Sequence, residues 1–561
     1  MSALKNLDAL IVGAGFAGLY QLHSLRKLGY KSKVVELGGG IGGVWHWNNY
    51  PGARVDTHVP IYEFGFDDLY KDFTWTERFP GRTELLRYFD YVDKKLDLSK
   101  DVVLNTGVTH AEFDTKTSRW NVTLTTGEVC DCKFLILCTG ALTKLYIPDF
   151  KGIDSYKGTI HHTGRWPQEG VETAGKKVAV IGTGASGIQT IQEIGPMVSH
   201  LTVFQRTPNI CLPMQQRKLT EDEQIISKAN GTYEEIYKAR FKTFAGFDYE
   251  FMSSNCIEET AETRRATFEK LYAEGGFRLW LGNYKDILFN KESNDEAYSF
   301  WAEKCRERIT DPKKKDLLAP LLENQFHTFG TKRPSLEQNF YEVCNQENVD
   351  IINILANPID SFTKTGIKMT NGEEYEFDII VLATGYDALT GAFTGIDIVG
   401  TDGKTIAEKW KDGIRTYLGM TMSHFPNLFM TYGAQAPTAF ANGTLMAELQ
   451  GTYTAQLIHT LTTSTPPTCT IEPTPESEEA WARKIAALAS PSLFGKTKSW
   501  YVGANIPGKK IEVGAYLGGV PGFMREMQGC GMIGEGDGEW VLDGYLKERG
   551  ERDVIDSWLI L

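Results

Sequence analysis

Residues 8–36 read DALIVGAGFAGLYQLHSLRKLGYKSKVVE. An apolar run, Ala9 to Val12, enters Gly13-Ala14-Gly15-Phe16-Ala17-Gly18. A segment of helical period follows, and a second apolar run ends at Glu36. Strand, glycine-rich turn, helix and strand in this order predict a Rossmann βαβ unit. Gly13 permits the tight turn, and Gly15 lets a pyrophosphate approach the backbone at the helix N-terminus. Gly18 lets helix and strand pack closely. Glu36, 18 residues beyond Gly18, is placed to accept hydrogen bonds from a ribose diol.

The unit recurs at 176–207, KKVAVIGTGASGIQTIQEIGPMVSHLTVFQRT, with Gly182, Gly184 and Gly187. Superposing Gly13 on Gly182 puts Gln205 where Glu36 stands, with Arg206-Thr207 next. A carboxylate there would repel a 2′-phosphate, whereas Arg206 would pair with one. The first unit therefore suits a diol ribose and the second suits NADP. Residues 218–328, rich in charge and helix formers, read as a largely helical insertion in the second domain, with Lys313-Lys314-Lys315 as a solvated loop. The fold class is α/β: two Rossmann-like dinucleotide-binding domains with a mainly helical insertion.

Other segments bear on chemistry. Gly38 to Asp56, GGGIGGVWHWNNYPGARVD, reads as a loop. Trp45, Trp47 and Tyr50 in it fit either a flat ligand or packing under a long loop. An Arg54–Asp56 ion pair is awkward for near neighbours. Residues 100–140 read as strands, ending at Cys138-Thr139-Gly140, and the same ending recurs at Ala383-Thr384-Gly385. In Thr331-Lys332-Arg333-Pro334 the two cations point in different directions on an extended backbone, so one can reach a phosphate while the other faces elsewhere. A surface basic pair is the plainer reading. After Gly385 the chain reads as mixed strands and loops, Tyr417–Gly419 and Phe429–Gly433 among them, up to a helical 476–490. A Gly- and Pro-rich loop follows around Trp500 and Asn505.

A chain of 561 residues favours two or three domains. The net charge of -13 argues against a general binder of nucleic acid or anionic membrane. Nine scattered cysteines without Cys-x-x-Cys give no disulfide framework and no metal site, and point to a reduced, cytoplasmic setting. No run approaches the ~18 apolar residues of a membrane span, and Met1 to Asp8 carries no leader pattern.

Taken together, the motifs resemble the flavin-dependent Baeyer–Villiger monooxygenases over nearly the whole chain. The family's F-x-G-x-x-x-H-x-x-x-W-P is matched by Tyr156, Gly158, His162, Trp166 and Pro167, with Tyr in place of Phe. G-G-x-W-x-x-x-x-Y-P-G-x-x-x-D is matched by Gly42, Gly43, Trp45, Tyr50, Pro51, Gly52 and Asp56. T-K-R appears at 331–333, A-T-G-[FY]-D at 383–387, and W-x-x-G-A-N-x-P-G-K at 500–509.

The resemblance implies FAD bound by Gly13, Gly15, Gly18, Glu36, the loop Val44, Trp45, His46 and Trp47, and by Arg54, Asp56, Tyr62 and Val108. It implies NADP(H) bound by Thr183, Gly184, Ala185, Ser186, Gly187, Gln189, Arg206, Thr207 and Lys332, with Trp500 closing on it. Arg333 would be the catalytic cation, held beside the flavin by Asp56. The FAD domain would comprise 1–150 and 386–561, with a substrate and cofactor loop near 495–515. The NADP domain would comprise 151–217, including the linker 156–167, and 329–385, with the insertion 218–328 between them.

The implied reaction is NADPH- and O2-dependent conversion of a ketone to an ester or lactone through a flavin C4a-peroxide, with a small-molecule ketone and O2 as partners. His162 and Trp166 then read as a structural linker between domains rather than as catalytic groups. The ketone pocket would draw on Gln435-Ala436-Pro437, on Thr390 to Phe393 and on the Trp500 loop. The rival readings are a flavin monooxygenase oxidising amine nitrogen or sulfur, and a non-catalytic nucleotide-binding redox sensor or scaffold. The oligomeric state is open between monomer and weak dimer.

Overall fold

The strand Leu7–Val12 lies inside an eight-stranded sheet, paired in parallel with Val129–Leu137 on one side and Ser32–Val35 on the other. It is buried almost throughout, as a strand covered on both faces must be. The computed structural model describes residues 4–464 and 466–529, and the backbone of 558–560. Cys530 and Leu561 lie outside the described residues. An antiparallel meander, Val108–Asp114, Arg119–Leu124 and Val129–Leu137, extends the sheet. Residues from beyond Gly385 return to it: Asp397–Val399 pairs with Val108–Asp114, and Leu428–Met430 with Val129–Leu137.

The second sheet has five strands, all parallel, in the order Val349–Asn353, His200–Gln205, Lys177–Ile181, Ile379–Leu382 and Thr159–His162. The two glycine turns are built alike. Gly13 and Gly182 sit at φ +107° and +108°, a region that favours glycine. A Cβ on Gly18 would lie 1.8 Å from the Gly13 carbonyl oxygen, and one on Gly187 would lie 2.2 Å from that of Gly182. Each third glycine is therefore the point where helix and turn touch backbone to backbone.

Strands Cys211–Pro213 and Ser335–Glu337 pair in parallel, and the helical segment runs between them. Its principal helices are Glu221–Ala229, Thr232–Arg240, Ala261–Glu274 and Lys291–Arg308. Arg240, fully buried, reaches Glu448 on the helix Gly443–Ser464 at 3.2 Å. That contact fixes the helical segment over the first sheet. Among the described residues no helix is long and apolar enough to cross a membrane.

Several readings need correction. Lys313-Lys314-Lys315 is not a loop but part of the helix Pro312–Leu318, whose N-cap Asp311 and first-turn proline are strong start signals. Lys314 donates to the carbonyls of Cys344 and Val349, so it ties two segments together. The stretch after Gly385 contains a 22-residue helix, Gly443–Ser464, that the mixed strand-and-loop reading missed. It packs on Phe16–Lys27, with Tyr20 Oη 2.6 Å from Thr452 Oγ1. Within the mixed strand-and-loop stretch, Tyr417–Gly419 is a turn, with Leu418 at positive φ. Thr390 to Phe393 are buried, with Phe393 in the core against Trp410.

The linker's variant residue has a local explanation. Tyr156 is buried, and its hydroxyl donates to the Phe377 carbonyl at 2.8 Å. Replacing it with the family's phenylalanine removes one neutral hydrogen bond, worth about 1 kcal/mol. Tyr156→Phe should lower the melting temperature by about 1 °C and leave turnover with ketone unchanged, as calorimetry and product assay would show.

Candidate active site

Arg333 and Asp56, 277 residues apart in sequence, meet between the two halves of the chain. Arg333 Nε and Nη2 donate to the two carboxylate oxygens of Asp56, each at 2.9 Å. This is the bidentate fork that suits a guanidinium and a carboxylate. Nη1 donates to the Ala439 carbonyl at 2.8 Å. The guanidinium carbon lies 4.7 Å from the ring centre of Phe277 and 5.8 Å from that of Trp280. The Arg333 side chain keeps 22% of its exposure. Burial opposes its charge, but Asp56 outweighs burial and raises the guanidinium pKa.

Lys332 points the other way, as the extended backbone requires. Its Nζ donates to Thr207 Oγ1 at 3.2 Å, and Thr183 Oγ1 donates to the Thr207 carbonyl at 3.0 Å. Arg206 is exposed beside them. Burial, and then the neighbouring Arg206, push the Lys332 ammonium down to about 8. Gln205, at the Glu36-equivalent place, is buried and donates to the Leu317 carbonyl. The strand end thus presents two cations and no acid.

In the first half, Glu36 is buried and accepts from the Ala14 N–H at 2.8 Å and the Gly38 N–H at 2.7 Å, which locks the turn. Gly13, Gly15 and Gly18 line it, and a Cβ on Gly15 would stand 3.4 Å from the Gly43 Cα. Val44–Trp47 forms one helical turn. Trp45 Nε1 donates to Tyr62 Oη at 3.0 Å, and Val108 begins the strand Val108–Asp114.

Arg54 does not approach Asp56 but bonds Glu77 and the Phe79 carbonyl. In the second half, Gly184 caps the helix Ala185–Ile194, and Gly187 packs under it. Ser186 lies in its first turn and accepts from Thr190 through its carbonyl. Gln189 is buried and bridges the halves, accepting from Tyr50 Oη at 2.7 Å and donating to the Arg54 carbonyl at 2.9 Å.

The linker touches both halves. Thr159–His162 is the edge strand of the second sheet. A Cβ on Gly158 would lie 2.6 Å from the Asp378 carbonyl oxygen. Trp166 is buried, Arg165 stacks on Trp47, and the Pro167 carbonyl accepts from Asn49. His162 Nδ1 accepts from the Gly164 N–H, and burial pushes the ring down to about 4. It is neutral at pH 7 and turned inward.

The family described as pyridine nucleotide-disulphide oxidoreductase matches residues 7–236, a span holding both glycine turns. Cyclopentanone 1,2-monooxygenase of Comamonas sp. (strain NCIMB 9872) is 45% identical over 94% of this chain and 94% of its own. A Baeyer–Villiger monooxygenase of Pseudooceanicola batsensis is 36% identical over 92% and 93%. The chain belongs to the Baeyer–Villiger monooxygenase family. Among solved structures, cyclohexanone monooxygenase from Rhodococcus sp. Phi1 bound to NADP+ matches with a TM-score of 0.90, 33% identity and 99% of both chains covered. OTEMO in complex with FAD and NADP matches with a TM-score of 0.88 at 33% identity, again over 99% of both.

Both dinucleotide cradles of this family member fit their cofactors chemically. The helices that begin at Phe16 and Ala185 have glycine N-caps with no side-chain cap bond and no acid in the first turn. Their N–H groups are therefore open to a pyrophosphate. The neighbours of Arg333 include groups the sequence did not point to: the Ala439 carbonyl, Phe277 and Trp280, with Tyr501 and Tyr432 on the Ala439 backbone. Only Tyr501, beside Trp500 in its motif, had a usable signal. Gln435 is buried, with its amide engaged by Thr416 and the Ile414 carbonyl.

Proposed function

We propose that the protein is an NADPH- and O2-dependent monooxygenase that converts ketones to esters or lactones. FAD is held by the first sheet and NADP(H) by the second. The observation that carries this reading is the Asp56–Arg333 fork between the two cradles. Bound FAD supplies the redox chemistry with NADPH and dioxygen. The chain's own part is electrostatic. Arg333 offers a permanent cation with fixed donors to the negative charge that develops on oxygen when a ketone carbonyl is attacked. Asp56 orients it, and no proton leaves the guanidinium. Arg206, Lys332 and Thr207 receive the 2′-phosphate, and Trp500 covers the nicotinamide side. His162, neutral and buried, serves as a brace rather than a base.

The deciding experiment is aerobic NADPH consumption with FAD-loaded protein, with and without cyclopentanone, cyclohexanone, acetone and aryl ketones, and with products identified. Ketone should accelerate consumption and appear as ester or lactone. If no ketone yields an oxygen-inserted product, the reading fails. Products from amines or sulfides alone would establish the rival oxidation.

A further inference from the structure

The segment carrying Arg333 is joined to the segment carrying Trp500 at two separate points. The first is a buried set of three hydroxyls. Thr331 Oγ1 donates to the Thr328 carbonyl at 3.0 Å, and it lies 2.6 Å from Thr497 Oγ1 and 2.8 Å from Thr328 Oγ1. Each hydroxyl has one proton and can also accept, so the three can bond one another in either direction. The second is the Ala439 carbonyl, which accepts from Arg333 Nη1 at 2.8 Å and from Tyr501 Oη at 3.2 Å. Ala439 stands at φ +69°, a strained setting for a residue with a Cβ. Its N–H donates to Tyr432 Oη at 2.9 Å, so the peptide groups on both sides of the Ala439 Cα are held.

The loop is also anchored at its far end. Asn505 donates to the Tyr386 carbonyl at 2.8 Å, and Lys509 pairs with Asp387 at 2.6 Å. Tyr386 and Asp387 follow the second-sheet strand Ile379–Leu382 after three intervening residues, Ala383-Thr384-Gly385. Trp500 stacks on Tyr501, and Tyr501 on Phe440, with ring centres 4.1 and 4.6 Å apart. One continuous set of contacts therefore runs from the end of the second sheet, through the Trp500 loop, to the acceptor that fixes Arg333.

We propose that Thr497 and Tyr501 are positioning residues that couple the placement of the Trp500 loop to the orientation of the Arg333 guanidinium. The inference rests on the role of Arg333 proposed above. It makes the catalytic cation fully aligned only while the loop is seated on the NADP side. Removing either hydroxyl loosens Arg333 without touching either nucleotide cradle.

The test compares Thr497→Val, Thr497→Ser, Tyr501→Phe and Arg333→Ala as FAD-loaded proteins. Four quantities are measured: anaerobic flavin reduction by NADPH, ester formed per NADPH oxidised, melting temperature, and protease cleavage within 495–512 with and without NADP+. Thr497→Val and Tyr501→Phe should be reduced at near wild-type rate. Their ester yield per NADPH should fall by about 3- to 10-fold, the worth of one neutral hydrogen bond, with hydrogen peroxide making up the difference. Thr497→Ser should retain the yield. NADP+ should protect the loop less in Thr497→Val than in the wild type.

Unchanged yield in both Thr497→Val and Tyr501→Phe overturns the inference, as does a Thr497→Ser loss equal to that of Thr497→Val, which would mark a packing role. If Thr497→Val does not fold, Tyr501→Phe decides. Wild-type ester yield from Arg333→Ala overturns the proposed function instead. Loss in Arg333→Ala with normal coupling in the other variants overturns this inference alone.

Discussion

Arg333→Ala should bind FAD, accept electrons from NADPH and form essentially no ester. The expected loss in ester formation is about 10²- to 10³-fold, the cost of removing one preorganised donor at a site of developing negative charge. NADPH consumption should persist, with hydrogen peroxide as the product in place of ester. Stability should fall too, because Asp56 would lose both donors that now satisfy its oxygens and be left part-buried without its partner. A double variant, Arg333→Ala with Asp56→Ala, should recover some of that stability and none of the ester. Arg333→Lys should recover little, since a point charge cannot hold both carboxylate oxygens and the Ala439 carbonyl at once. Ester formation by Arg333→Ala within about 3-fold of wild type would remove Arg333 from the chemistry, because such a change is the size of a single peripheral hydrogen bond.

Local signals carried most of the fold. The glycine turns could be read because each glycine answers a steric demand set within a few residues, as the 1.8 Å and 2.2 Å approaches at Gly18 and Gly187 show. The opposed directions of Lys332 and Arg333 were legible from the extended backbone before proline. Their partners were not, since Asp56 and Thr207 come from distant segments, and only the family resemblance joined Asp56 to Arg333. The helix Gly443–Ser464 was missed because it is buried along most of its length and rich in threonine, so no polar face gave it a helical period. Lys313 to Lys315 were misread because a charge run outweighed the Asp311-Pro312 start signal that immediately precedes it. The Ala439 carbonyl could not have been read at all: it is backbone, and its left-handed setting is imposed by Tyr432, Tyr501 and Arg333 together.

Arg206→Ala should lower kcat/KM for NADPH by about 10- to 100-fold while changing that for NADH by less than about 3-fold. The expected size is that of one charge-assisted hydrogen bond to phosphate, about 1.5–3 kcal/mol, at 1.4 kcal/mol per factor of ten. Arg206 is exposed and Lys332 is half-buried, so the two contribute differently. The Lys332 ammonium, lowered to about 8 by burial and then by Arg206, is charged below that pH and neutral above it. Affinity for the 2′-phosphate should therefore hold from pH 6 to 7 and weaken as pH rises from 7.5 to 9, whereas NADH binding should show no such slope. In Arg206→Ala the lysine loses a neighbouring positive charge, so its titration and the NADPH slope should both move to higher pH. In Lys332→Arg the slope should flatten, because a guanidinium stays charged across the range. A parallel pH dependence for NADPH and NADH in the wild type would show that Lys332 does not meet the 2′-phosphate. In that case Arg206 and Thr207 alone would set the preference for NADPH.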